Sequence, residues 1–180
     1  MTETAGIEGW DARWRDLVRA VPDFPLPGIL FRDITPLLHD PVALRALNDR
    51  LAEEARVLGP TLVAGIEARG FIFGVPVAER LGLPFVPVRK PGKLPAAYES
   101  VAYALEYGEA TLQLHRDPSV AGQRVLIVDD LLATGGTAAA AARLVEVLGG
   151  TVAGYAFAIE LDDLRGRALL QAPAIALLHF

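Results

Sequence analysis

The chain has 180 residues, 52% of them apolar and 22% charged, with a formal net charge of −5 and no cysteine. These values suit one domain with a real core, and they exclude a disordered polymer, a disulfide scaffold and a thiolate metal site. An acidic total argues against nonspecific nucleic-acid binding, and no apolar run approaches the roughly 20 residues that cross a bilayer.

The opening MTETAGIEGW lacks the basic-then-apolar pattern of a signal peptide, so the expectation is a soluble, cytoplasmic protein. His39, His115 and His179 are too scattered for zinc spacing. Along the chain, Glu8–Ala20 reads as an amphipathic helix carrying Trp10, Trp14, Leu17 and Val18. Residues 22–28, PDFPLPG, cannot be regular helix or central strand. Asp40 before Pro41 predicts an N-cap and a helix running to about Leu58. Thr61–Ile66 is a short apolar strand, Arg69–Leu81 a helix and Phe85–Arg89 a second strand. Lys90–Ser100, with Pro91, Gly92 and Pro95 beside two lysines, reads as a mobile loop. Val101–Tyr107 and Thr111–His115 form a predicted hairpin turned at Gly108-Glu109. Arg124–Asp130 is a strand, Gly135–Leu148 an alanine-rich helix, Thr151–Leu161 a strand and Ala174–Leu178 a last strand. Strands alternating with helices predict an α/β fold with a mostly parallel, twisted sheet. Ligands of such sheets bind beyond the carboxyl ends of the strands.

Residues 125–137, VLIVDDLLATGGT, carry the clearest chemistry. An apolar strand delivers Asp129 and Asp130, and a turn of small and hydroxyl residues then opens a helix. Unpaired N–H groups and the helix dipole favour an anion there, and Gly135 and Gly136 permit close approach of a phosphate. Carboxylates beside such a cradle repel its ligand unless they accept from hydroxyls or serve a cation, and a sugar phosphate with Mg²⁺ offers both. Packing alone is a poorer explanation, since two adjacent carboxylates at a buried strand end are costly without partners.

Other segments are weaker by themselves. Gly65-Ile66-Glu67-Ala68-Arg69-Gly70-Phe71 has the glycine separation of a nucleotide P-loop, yet Phe71 stands where the lysine belongs. Arg69 at a helix start still suits a diphosphate, as does the run Arg89, Lys90 and Lys93, although exposed cations are the ordinary reading of both. Glu106, in Tyr103-Ala104-Leu105-Glu106-Tyr107-Gly108, reads alone as an outward strand residue.

Together these segments resemble the type I phosphoribosyltransferases. The Asp-Asp-Leu-Leu-Ala-Thr-Gly-Gly-Thr and Tyr-x-Leu-Glu-Tyr-Gly wordings are similar to those of the adenine-specific members, and residues 24–36, FPLPGILFRDITP, are similar to their hood. The resemblance covers Val21 to about Thr137 and, more weakly, Gly166–Leu169. It implies one domain over 1–180, with a hood at 1–40 and a lid loop at 90–108. It also implies conversion of adenine and 5-phosphoribosyl 1-pyrophosphate to AMP and pyrophosphate, with Mg²⁺ held through substrate and water, by a homodimer. Ala133, Thr134, Gly135, Gly136 and Thr137 would take the 5′-phosphate, and Asp129 and Asp130 the ribose. Arg69, Arg89, Lys90 and Lys93 would meet pyrophosphate, and Leu30, Phe31, Arg32 and Leu131 adenine. Glu106 would be the general acid or base. Where the family's next strand often reads Leu-Glu-Ile-His, this chain has Leu112-Gln113-Leu114-His115. Two alternatives stay open: a noncatalytic phosphoribosyl-pyrophosphate sensor, which would usually carry a basic DNA-binding extension, and the same fold acting on guanine, xanthine or orotate.

Overall fold

The computed structural model describes residues 9–105, 108–118 and 120–180. Its contacts divide the chain into two units, Met1–Leu47 and Asn48–Phe180.

In the first unit, helix α1 spans Trp10–Asp16 and buries Trp14. Strands β1 (Arg19–Pro22) and β2 (Leu30–Asp33) pair antiparallel, followed by the short helix α2 (Thr35–His39). The helix expected over Glu8–Ala20 is thus too long: Glu8 lies outside the described residues, and the helix ends at Asp16. Pro22 cannot sit in a helix interior, and the segment before it finds a partner across the proline loop. Arg19 faces Asp33 across the ladder, and the Thr35 hydroxyl and amide also donate to Asp33. These bonds, with Thr35's hydroxyl foremost, bring its carboxyl down to about 2. Asp40 behaves as expected. Its Oδ1 accepts from the amides of Val42 (3.0 Å) and Ala43 (2.9 Å), capping helix α3, Pro41–Arg56.

The second unit is built on a five-stranded parallel sheet flanked by helices, the α/β fold the alternation predicts. Strand β3 (Leu62–Ile66) leads to α4 (Gly70–Leu81) and β4 (Phe85–Val88). An antiparallel pair follows, β5 (Tyr98–Leu105) and β6 (Gly108–His115). Strand β7 (Arg124–Leu132) feeds α5 (Gly136–Val147), then β8 (Thr151–Glu160) and β9 (Ala174–His179) close the order β4-β3-β7-β8-β9. Strand β7 lies at the centre. Its residues Val125, Leu126, Ile127 and Val128 are all buried, as a strand covered on both faces requires.

The hairpin differs from expectation, and strand β7 runs on past the expected end at Asp130 to Leu132. The hairpin ladder starts at Tyr98, inside the expected loop, and pairs Ala104 with Glu109 and Leu105 with Gly108. Gly108-Glu109 are therefore ladder residues and not the turn. The hairpin is also tied to the sheet, because Arg89 and Gln113 exchange both backbone hydrogen bonds, at 2.8 and 2.7 Å.

Candidate active site

The carboxyl ends of β3 and β7 meet the starts of α4 and α5, and the polar residues gather there. The approach of α4 to β7 depends on Gly70, where a Cβ would lie 2.6 Å from the Val128 carbonyl oxygen and 3.0 Å from Asp129 Oδ1. Any side chain would push the Arg69 turn away from the carboxylates.

Gly135 stands at the N-cap of α5 with φ 85°, and no side chain caps this end. The first-turn amides are thus left for a ligand, as anion binding requires. The first turn also carries no acidic residue. Residues 129–138, with Arg69 and Phe157, line a cavity of about 200 Å³. A second cavity of about 410 Å³ shares Arg69, Asp129, Asp130 and Thr137, and adds Glu67, Lys90 and Tyr103. The Tyr103 hydroxyl lies 3.3 Å from Thr137 Oγ1, joining the hairpin to the 133–137 turn.

Asp130 is 3% exposed. Its Oδ2 accepts no well-aligned hydrogen bond and has the charge of Arg69 Nη1 at 3.1 Å. Burial drives the Asp129 carboxyl well above the ordinary range, and repulsion from Asp130 adds to it. Burial also raises Asp130, against the opposing pull of Arg69. The pair is therefore poised to accept hydroxyl donors or a cation. A carboxyl raised in the fold destabilises it once pH climbs past the unfolded value, near 3.9, and the full cost is present above the folded value. Asp129→Asn removes that charge while leaving an acceptor for the Asp130 amide, 2.9 Å from Oδ1. It is expected to raise the neutral-pH melting temperature, by about 2–4 °C per kcal/mol relieved, while weakening sugar-phosphate binding. Thermal melts and calorimetry on the two proteins measure both, and a drop in melting temperature refutes the account.

The expected cations do not all behave alike. Arg69 and Lys90 line the same cavity, whereas Arg89 turns onto Glu67, its Nε 2.9 Å from Oε2. The Glu67 carboxylate also accepts from the Lys90 amide at 2.8 Å. Against its partial burial, that amide and Arg89 hold its carboxyl below the usual range. Glu67 thus clamps the start of the basic loop, a role the sequence did not reveal. Lys93 is exposed and lines neither of these cavities. Leu131 lines the first cavity, and Leu30, Phe31 and Arg32 form β2 of the first unit. Glu106 lies outside the described residues.

A phosphoribosyl transferase domain model matches residues 37–177. The adenine phosphoribosyltransferase of Gloeobacter violaceus is 60% identical over 168 residues, covering 92% of this chain and 98% of the relative. The chain belongs to the adenine phosphoribosyltransferase family. The enzyme of Sorangium cellulosum is 59% identical over 91% of this chain and 84% of its own. Among solved structures, the adenine phosphoribosyltransferase of Thermoanaerobacter pseudethanolicus superposes with TM-score 0.91 at 50% identity, covering 94% of this chain and 99% of the other. The Saccharomyces cerevisiae member, solved with adenine and an imino-altritol bisphosphate, gives 0.87 at 40% identity over 94% and 98%. The parallel sheet and hairpin are thus the type I phosphoribosyltransferase fold of this family.

Proposed function

We infer that this chain transfers the 5-phosphoribosyl group of 5-phosphoribosyl 1-pyrophosphate to adenine, forming AMP and pyrophosphate in purine salvage. One observation carries the reading. An uncapped helix start, a carboxylate pair of which Asp130 is buried and Asp129 half-buried, and Arg69 border one cavity, in a chain 60% identical to a named adenine phosphoribosyltransferase.

Displacement of pyrophosphate at the anomeric carbon develops oxocarbenium character, so catalysis consists mainly of positioning, charge stabilisation and exclusion of water. Ala133–Thr137 are assigned to the 5′-phosphate, which the open amides of α5 suit. Asp129 and Asp130 are assigned to the ribose hydroxyls, whose donors favour the ionised form that burial disfavours. Arg69 and Lys90 are assigned to pyrophosphate, with Lys93 and Arg89 reaching it from the same basic loop, where Arg89 would have to share itself with Glu67. Glu106 is assigned to proton transfer at adenine, and Leu30, Phe31, Arg32 and Leu131 to the base, all on the resemblance. Within this single domain, 1–40 would serve as hood and 90–108 as lid.

A hard cation fits the carboxylate oxygens beside the cavity, one of which accepts no hydrogen bond. Mg²⁺ would be held by the substrate's diphosphate and hydroxyls and by water, with Asp129 and Asp130 as neighbouring acceptors, and would neutralise the leaving pyrophosphate. A cytoplasmic homodimer completes the proposal, and no helix among the described residues is long and apolar enough to cross a membrane.

Incubating the protein with labelled phosphoribosyl pyrophosphate, Mg²⁺ and each base in turn tests the reading. AMP from adenine is expected; nucleotide from guanine, xanthine or orotate in its place, or none at all, overturns it. Arg69→Ala is expected to weaken pyrophosphate binding at least tenfold, about 1.4 kcal/mol or more, and AMP binding less than threefold. The small effect on AMP arises because Asp130 loses the charge at 3.1 Å that helps it ionise. Calorimetry with each ligand decides, and equal losses would place Arg69 away from pyrophosphate.

A further inference from the structure

Behind the phosphate-facing turn lies a second turn whose backbone presses on it. After β8 the chain makes two 3-10 turns, Asp162–Leu164 and Gly166–Leu169, joined at Arg165 with φ 50°. Gly166 is buried against the first turn so closely that a Cβ on it would lie 2.1 Å from the Ala133 carbonyl oxygen and 2.9 Å from the Gly135 amide nitrogen. Conversely, a Cβ on Gly135 would lie 2.3 Å from the Gly166 carbonyl oxygen. Gly166 does not have a left-handed backbone, so its own dihedral angles would accept other residues. Its neighbours require the glycine.

Such a contact shapes the turn only if the segment behind it is itself held, and several bonds hold it to the strand ends. The Leu161 amide donates to the Leu132 carbonyl and the Asp162 amide to the Phe180 carbonyl, both at 2.9 Å. Arg167 forks onto the buried carboxylate of Glu160, with Nε 3.0 Å from Oε1, and also donates to the Ala174 carbonyl. His179 Nδ1 lies 2.8 Å from Asp162 Oδ1. Glu160, Asp162 and His179 have a spacing a metal ion could use, yet Arg167 already occupies the one buried member. This cluster works as an anchor.

We propose that Gly166 is a positioning residue. Acting through the backbone of Ala133 and Gly135, it holds the 133–137 turn in the shape that receives a 5′-phosphate, and the Arg167–Glu160 fork fixes where Gly166 stands. The inference rests on the reading of that turn as the 5′-phosphate site.

The test compares ribose 5-phosphate and AMP with pyrophosphate alone, by calorimetry, on Gly166→Ala, Arg167→Gln and Thr137→Val. Gly166→Ala is expected to lose tenfold or more in affinity for both 5′-phosphate ligands and to hold pyrophosphate within twofold. In turnover it should raise KM for phosphoribosyl pyrophosphate while kcat at saturation stays within threefold. Arg167→Gln adds no atoms to the contact and keeps the proposal testable where Gly166→Ala fails to fold; a three- to tenfold loss confined to the 5′-phosphate ligands is expected. Unchanged ribose 5-phosphate binding in the folded variants at 166 and 167, with Thr137→Val weakened, overturns the inference alone. If Thr137→Val is unchanged too, the phosphate reading falls with it. Equal losses on pyrophosphate would mark Gly166 as a general packing residue and also overturn the proposal.

Discussion

Glu106→Gln is expected to cut turnover by roughly 10²–10⁴-fold while leaving substrate binding and the melting temperature nearly unchanged. The amide keeps the shape of the carboxylate and some of its hydrogen bonding, but it cannot move a proton, and that factor is the usual contribution of a general acid or base. The assignment comes from the Tyr-x-Leu-Glu-Tyr-Gly wording, which resembles that of the adenine-specific enzymes. It gains support from Tyr103, in the same motif, which meets Thr137 at 3.3 Å and lines the cavity that holds Arg69 and both aspartates. A surface strand glutamate would behave differently, costing under about 0.5 kcal/mol in stability and nothing in rate. Single-turnover kinetics are needed beside the steady state, because slow release of AMP could hide a slowed chemical step. A fall of less than threefold in the single-turnover rate removes Glu106 from catalysis.

The parts of this site legible in the sequence are those encoded by neighbours in the chain. The all-apolar run before Asp129 gave β7, and the hydroxyl and glycine residues after it gave the start of α5. Asp40 before Pro41 gave the cap of α3 for the same reason: donor and acceptor lie within three residues. The illegible parts depend on partners far along the chain. Glu67 carries no local signal of its role, which is seen only once Arg89 and the Lys90 amide are found on it. Arg19 and Ala20 continue a helical pattern and become strand only because Leu30–Asp33 returns beside them. Gly135 was legible as a glycine, but the reason was incomplete. Close approach of a phosphate is the constraint the proposed function supplies; the left-handed φ and the Gly166 carbonyl behind it are two more, and neither has a local signature.

Those added constraints sharpen the expected result for Gly135→Val. Against phosphate approach alone, the variant should fold normally and raise KM for phosphoribosyl pyrophosphate about tenfold, a loss near 1.4 kcal/mol. With φ at 85°, however, an L residue costs roughly 1–2 kcal/mol, and branching at Cβ raises that further. The Cβ would also stand 2.3 Å from a carbonyl oxygen fixed to the sheet ends, so the turn must move outward, toward the space the phosphate needs. The expected outcome is therefore a lowered melting temperature together with a rise in KM of at least tenfold for phosphoribosyl pyrophosphate. Pyrophosphate binding should persist in the folded fraction, since Arg69 and Lys90 belong to other segments. Gly136→Ala supplies the contrast, because its Cβ meets nothing nearer than the Ala104 carbonyl oxygen at 3.5 Å. That variant should keep the parent's melting temperature and lose affinity only for ligands bearing a 5′-phosphate. If Gly135→Val folds and binds ribose 5-phosphate as tightly as the parent, the turn is not the phosphate cradle.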